Sequence, residues 1–184
     1  MRRDPPAPTA DRMLDAAISL LGERAGRAVF EVRGRSMRPT LSDGDAVLVV
    51  LADRRIRPGD LAVFRLGGDA VVHRCVRVRR EGLVFRGDGR EALDPLVAVP
   101  EVLGRVVALR RSGAWLGLEG TLARGYGRAI AIHARFWSAA RRGLGPPASR
   151  LDRGTLRMAD RLLFGRCHRT VPAPPGFTGP DGVG

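Results

Sequence analysis

The 184-residue sequence contains no lysine, no asparagine and no glutamine. All 32 of its basic residues are therefore arginine, and any chemistry that needs a lysine amine is excluded. The bias itself reads as the codon usage of a GC-rich genome rather than as a functional signal. Cysteine is equally scarce: Cys75 and Cys167 are far apart and follow no metal-ligand spacing, which argues against a disulfide framework and a zinc site and leaves two free thiols. No run approaches the roughly 20 apolar residues of a membrane span. The longest uncharged apolar stretch near the start, Ala16 to Gly22, lies between Asp15 and Glu23 and is too short for a signal-peptide core. A cytoplasmic protein is expected, without metal or cofactor.

What is present is a composition that is 44% hydrophobic and 28% charged, with a formal net charge of +13, the balance of a globular chain. Residues 1–27 read as a proline-rich lead-in followed by an amphipathic helix from about Asp11 to Glu23, with Met13, Leu14, Ala17, Ile18 and Leu21 on one face. Over residues 28–112 the texture changes to short valine-rich runs: AVFEV, AVLVVLA, LAVFRL, AVVHRCVRV, LVFRG and VLGRVVALR. Between them lie Asp43-Gly44-Asp45, Pro58-Gly59-Asp60, Gly67-Gly68-Asp69 and Gly87-Asp88-Gly89, which tolerate tight or left-handed backbone. The expected class is α+β, a compact and mostly antiparallel β domain with helices before and after it.

Residues 113–169 turn helical, with Glu119 to Arg142 and Ser149 to Phe164 as candidates and Gly145-Pro146-Pro147 between them; Gly125 and Gly127 weaken the first. In the second, Arg150, Arg153, Arg157 and Arg161 form a stripe opposite Leu151, Met158, Leu162 and Leu163. That amphipathic pattern suits packing on the β domain or peripheral contact with an anionic membrane. Residues 170–184, rich in proline and glycine, are expected to be disordered.

Ser36 sits in Gly34-Arg35-Ser36-Met37-Arg38-Pro39-Thr40-Leu41, just after the first expected strand. A serine hydroxyl is a poor nucleophile unless a base takes its proton and donors stabilise the oxyanion. The stretch from Gly34 to Asp45 resembles the Ser-Met-x-Pro-Thr box of type I signal peptidases and related self-cleaving repressors, and Pro58 to Phe64 is similar to their next strand. That superfamily divides by its base: one branch uses lysine, and the endoplasmic-reticulum, archaeal and sporulation-type signal peptidases use histidine. Val72-His73-Arg74-Cys75-Val76 is similar to the histidine branch, and Arg86-Gly87-Asp88 through Asp94-Pro95 resembles its Gly-Asp stretch ending in an aspartate. Val102 to Ala108 resembles the closing strand.

The resemblance implies a serine endopeptidase with Ser36 as nucleophile, His73 as base and Asp94 orienting the imidazole, whose ordinary pKa of about 6.5 suits both proton transfers. Asp88 is the alternative or an additional orienting carboxylate, or simply a turn former. Arg35, Met37 and Pro39 would support the site, the Ser36 N–H and Arg35 or a neighbouring hydroxyl would meet the oxyanion, and the substrate would be an extended signal- or leader-like peptide added as a strand. Cleavage of a separate substrate and cleavage of the chain itself are both open. Two other readings compete. Cys75 shares a strand face with His73 and is a minor candidate nucleophile. From Arg110 to Arg169, thirteen arginines face three acids, Glu119, Asp152 and Asp160, which suits a non-catalytic peptide- or nucleic-acid-binding surface, although no helix-turn-helix or aromatic stacking pattern accompanies it. His133 and His168 read as surface or packing residues.

Overall fold

The computed structural model describes residues 26–144, 155–160, 163–164 and 166–175. The expected lead-in and helix over 1–27 lie outside them, as do Arg150, Arg153 and Arg161. The strands are β1 (Arg27–Glu31), β2 (Ala46–Leu51), β3 (Leu61–Leu66), β4 (Asp69–Val78), β5 (Leu83–Arg86), β6 (Val102–Arg111), β7 (Ala114–Gly117) and β8 (Arg169–Thr170), with one long helix, α1 (Thr121–Leu144). All pairings are antiparallel, in the order β1-β2-β6-β3-β4-β5. β7 pairs with the second half of β6, and β8 with β7. The architecture is the α+β one expected, with every valine-rich run in a strand.

The near-continuous apolar run of β2 follows from burial on both faces. Val47, Val49 and Leu51 point into a core shared with Leu61, Val63, Val106 and the helical residues Tyr126, Ile130, Leu156 and Phe164. Ala46 and Leu48 point the other way, against Val107 and Trp115. β3 divides in the same manner: Ala62 and Phe64 leave the helical side and join Cys75, Phe85 and Val102, with the Phe64 and Phe85 rings stacked at 4.2 Å. Together these two fully buried phenylalanines contribute several kcal/mol, at about 1.5–3 each.

Three expectations need correction. The chain does not become helical directly after Gly113: β7 intervenes, because Trp115 is buried and Arg110 and Trp115 face each other across the β6–β7 ladder. Thr170 does not open a disordered tail, since Arg169–Thr170 pair with Leu116 and Gly117 and Val171 N donates to the Trp115 carbonyl at 2.9 Å. In the second helix, described over 155–160, 163–164 and 166–167, Met158 and Leu163 are exposed while Leu156, Asp160 and Phe164 are buried. The packed face is thus the one carrying Asp160, not the Met158–Leu163 side.

Gly125 and Gly127 do not interrupt α1, and Gly127 has a specific use. A Cβ there would lie 2.7 Å from the Gly59 carbonyl oxygen, and one on Gly59, whose φ is +104°, would lie 2.6 Å from Arg128 N. Helix backbone therefore rests directly on the Pro58-Gly59-Asp60 turn, which an alanine at either position would pry apart.

Candidate active site

His73 lies in the middle of β4, opposite Ala62 of β3, on the face that carries Cys75 and Phe85. It is 1% exposed, and the Phe64 ring meets its edge at 6.1 Å between centroids. Its Nδ1–H donates to Asp94 Oδ2 at 2.6 Å, and both side chains are buried. A carboxylate only accepts, so this contact places the proton on Nδ1 and leaves Nε2 as the lone-pair nitrogen. Asp94 is held in turn by its own N–H, which donates to the Phe85 carbonyl at 2.9 Å, and Arg90 approaches its other oxygen at 3.8 Å. His73 Nε2 is buried and has no hydrogen-bond partner.

Ser36 sits half-buried on the loop between β1 and β2. This loop is pinned at several points: Gly34 N donates to Asp43 Oδ1 at 2.6 Å, Val32 N to the Asp45 carbonyl at 2.7 Å, and Ser42 N to Asp45 Oδ2 at 2.7 Å. Met37 and Leu41 anchor it in the main core, and the Arg38–Pro39 peptide is cis. Burial raises the Asp45 pKa against the opposing effect of its bond from Ser42. Arg35 and Arg38 extend into solvent.

The loop after β5 joins the two halves. Gly89 N donates to the Ser36 carbonyl at 2.8 Å. A Cβ on Gly87 would lie 2.5 Å from that same carbonyl oxygen and 3.0 Å from His73 Nε2, and one on Gly89 would lie 2.9 Å from the Arg35 and Arg38 oxygens. Neither glycine is in the left-handed region; they are needed for close approach. Through them the unpartnered imidazole nitrogen and the Ser36 backbone border one small space.

Asp88 is not part of the imidazole's support. It accepts from Arg74 Nε at 2.9 Å and Nη2 at 2.6 Å, and from the Thr40 hydroxyl at 2.6 Å, all buried. Strand alternation puts Arg74 on the sheet face opposite His73, where its Nη1 donates to the Gly59 carbonyl at 2.9 Å. Coulombic attraction to Asp88 raises the Arg74 pKa against the effect of burial. Sequence spacing singled out Asp88 and Asp94 together; only the pairing of β4 with β5 separates their partners. Arg74, read merely as the neighbour of His73, was the residue missed, and an arginine inside a valine-rich strand was the signal for a buried carboxylate.

A model of the Peptidase S24-like family matches residues 5–107. The chain belongs to the Peptidase S24-like family. Ser36, His73 and Asp94 all fall within the matched region, as do Arg74 and Asp88. Among curated proteins, an uncharacterized HTH-type transcriptional regulator of Haemophilus influenzae is 30% identical over 105 residues, covering 53% of this chain and 44% of the relative. The chain therefore spans less than half the length of that relative.

Cys75 is fully buried, and burial pushes its thiol up to about 12. At pH 8 it stays protonated and out of reach of reagents. Iodoacetamide is expected to label Cys167, which is partly exposed, and to leave Cys75 unmodified until the protein unfolds, as read by peptide mass mapping. Native-state labelling of Cys75 would reopen the thiol as a reactive group. His168 is buried, with Nδ1–H donating to the Phe164 carbonyl at 2.7 Å, and His133 Nε2 lies 2.8 Å from the Thr155 hydroxyl. Among the described residues no group of three or more His, Cys, Asp or Glu could hold a metal ion. No described helix is long and apolar enough to cross a membrane.

Proposed function

We propose that this protein is a serine endopeptidase of the histidine-base, signal-peptidase-like type, cutting an extended peptide. Ser36 is the nucleophile, His73 the general base and acid, and Asp94 the carboxylate that fixes the imidazole. The observation that carries this reading is the state of His73: Nδ1 is committed to Asp94, while Nε2 is buried, unpartnered and beside the Ser36 loop. A buried polar atom without a partner carries a desolvation cost of about 1–3 kcal/mol, so its retention next to a hydroxyl-bearing loop supports a functional proton acceptor.

In the reaction the Ser36 Oγ proton passes to His73 Nε2 as Oγ bonds to the scissile carbonyl carbon. Asp94 stabilises the imidazolium so formed, and Nε2 returns the proton to the leaving amine. Water then repeats the sequence on the acyl-enzyme. The Ser36 N–H meets the oxyanion, with Arg35 available beside it. Thr40 is not available for that work, since its hydroxyl donates to Asp88.

A second reading, a regulatory module that binds without cutting, is favoured by the likeness to the Haemophilus HTH-type transcriptional regulator. The two separate in one experiment. The chain is incubated alone and with a peptide library containing Ala-x-Ala sites, and mass spectrometry compares it with Ser36→Ala. Cleavage of library peptides, or of the chain itself, that disappears in Ser36→Ala is the expected result. Cleavage retained in Ser36→Ala refutes the assignment. No cleavage by either, with a salt-dependent shift of labelled DNA, favours the binding module.

A further inference from the structure

The family match ends at residue 107, yet the loop bearing Ser36 is also held by residues beyond it. Arg111, the last residue of β6, donates from Nη2 to the Pro39 carbonyl at 3.0 Å and to Asp160 Oδ2 at 2.7 Å, and from Nη1 to Asp160 Oδ1 at 3.2 Å. Its guanidinium lies 4.4 Å over the Phe164 ring. Asp160 is 6% exposed and also accepts from the Tyr126 hydroxyl at 3.4 Å. Asp160 and Phe164 thus supply a planar two-pronged acceptor and an aromatic plate to one arginine, which orients the donor left over at Pro39.

We propose that Arg111 and Asp160 are positioning residues for Ser36, so that the C-terminal segment is part of the frame of the active site. Pro39 and Thr40 are adjacent, and they are gripped from two sides: the Pro39 carbonyl by Arg111, the Thr40 hydroxyl by Asp88. With both grips closed, the turn that presents Ser36 to His73 cannot rotate. Without the Asp160 carboxylate the guanidinium loses its two-pronged acceptor, and the direction of its bond to the Pro39 carbonyl is no longer fixed. The inference rests on the peptidase reading for its catalytic consequence, but the grip on the loop does not.

Two measurements on the full chain therefore test it together. In hydrogen–deuterium exchange, Asp160→Asn and Arg111→Met should each raise exchange of the amides over 34–45 about tenfold or more, with the amides of β4 unchanged. In peptide cleavage the same variants should lower kcat about 10- to 100-fold with KM within about twofold, because neither side chain touches the peptide. Val107→Ala, which cuts into the cluster on the other face of β6 and leaves the arginine and the segment bearing Asp160 in place, separates positioning from mere stability: it should lower Tm and leave kcat within about twofold well below that Tm. Unchanged exchange over 34–45 in both variants overturns the proposal. So does a kcat loss in Val107→Ala equal to that in Asp160→Asn. Raised exchange in a chain that cuts nothing refutes the peptidase reading while showing the grip itself to be present.

Discussion

Replacing Ser36 by alanine, His73 by alanine, or both at once is expected to lower kcat/KM at least about a thousandfold, the double variant being no worse than the worse single one. Nucleophile and base act as a unit, so losing either removes the same proton transfer. Asp94→Asn is expected to fall in the same range while the protein stays folded. An asparagine keeps a hydrogen-bonding group 2.6 Å from Nδ1 but cannot neutralise the imidazolium, and if its amide donates it selects the tautomer with the proton on Nε2. Single-turnover kinetics against Ala-x-Ala peptides, with circular dichroism to establish folding, measures all four. Additive losses in the double variant would mean that Ser36 and His73 do not share one step. Wild-type rates in Asp94→Asn would leave Asp94 as a structural partner only.

Asp88→Ala is expected to be the most destabilising single substitution among the site residues, at about 3–5 kcal/mol. It strands the fully buried Arg74 cation, and removing one partner of a buried pair costs far more than the pair itself contributes. For a chain of this size that corresponds to a fall in Tm of about 10 °C. Replacing the pair together, Arg74→Met with Asp88→Leu, should restore much of the stability, since apolar groups of similar volume remove the desolvation cost at both ends. Cleavage should stay low in the double variant, because the Thr40 hydroxyl and the Gly59 carbonyl have still lost their partners. Thermal melts of Arg74→Met, Asp88→Leu and the double variant form one cycle. A single Asp88→Ala variant as stable as the parent would show that water reaches and solvates Arg74.

The β domain was legible because its strands are short, valine-rich and separated by turn formers, and because burial on both faces of β2 leaves an unbroken apolar run. Ser36, His73 and Asp94 were legible as motifs, each beside residues whose type suits its chemistry. What sequence left open was partnership. Whether Asp88 or Asp94 faces the imidazole depends on the register of β4 on β5 and on the path of the loop after Arg86. The glycines at 87 and 89 read as turn formers, whereas their missing side chains make room for a neighbouring loop 51 or more residues away in sequence, a distance at which local pattern carries no information. The C-terminal helical residues misled for a related reason. Their apolar stripe pointed to Met158 and Leu163, but an arginine at the end of β6 and the ring of Tyr126 draw the side bearing Asp160 inward. Thr170 was assigned to a tail because proline and glycine follow it, while the open edge of β7 was available to pair with it.

The floor beneath Ser36 is made of main chain: the carbonyls of Arg35, Ser36 and Arg38 against the backbone of Gly87 and Gly89. Its shape is therefore independent of which side chains stand at 35 and 38, both of which project outward. On the proposed reading, recognition and reaction would draw on different parts of the same few residues, the outward groups facing a substrate and the peptide units fixing the hydroxyl. Such a division would let the preference of a peptidase for one peptide over another be rewritten at the rim, by substitution or selection, with the geometry of the bond-breaking step inherited unchanged.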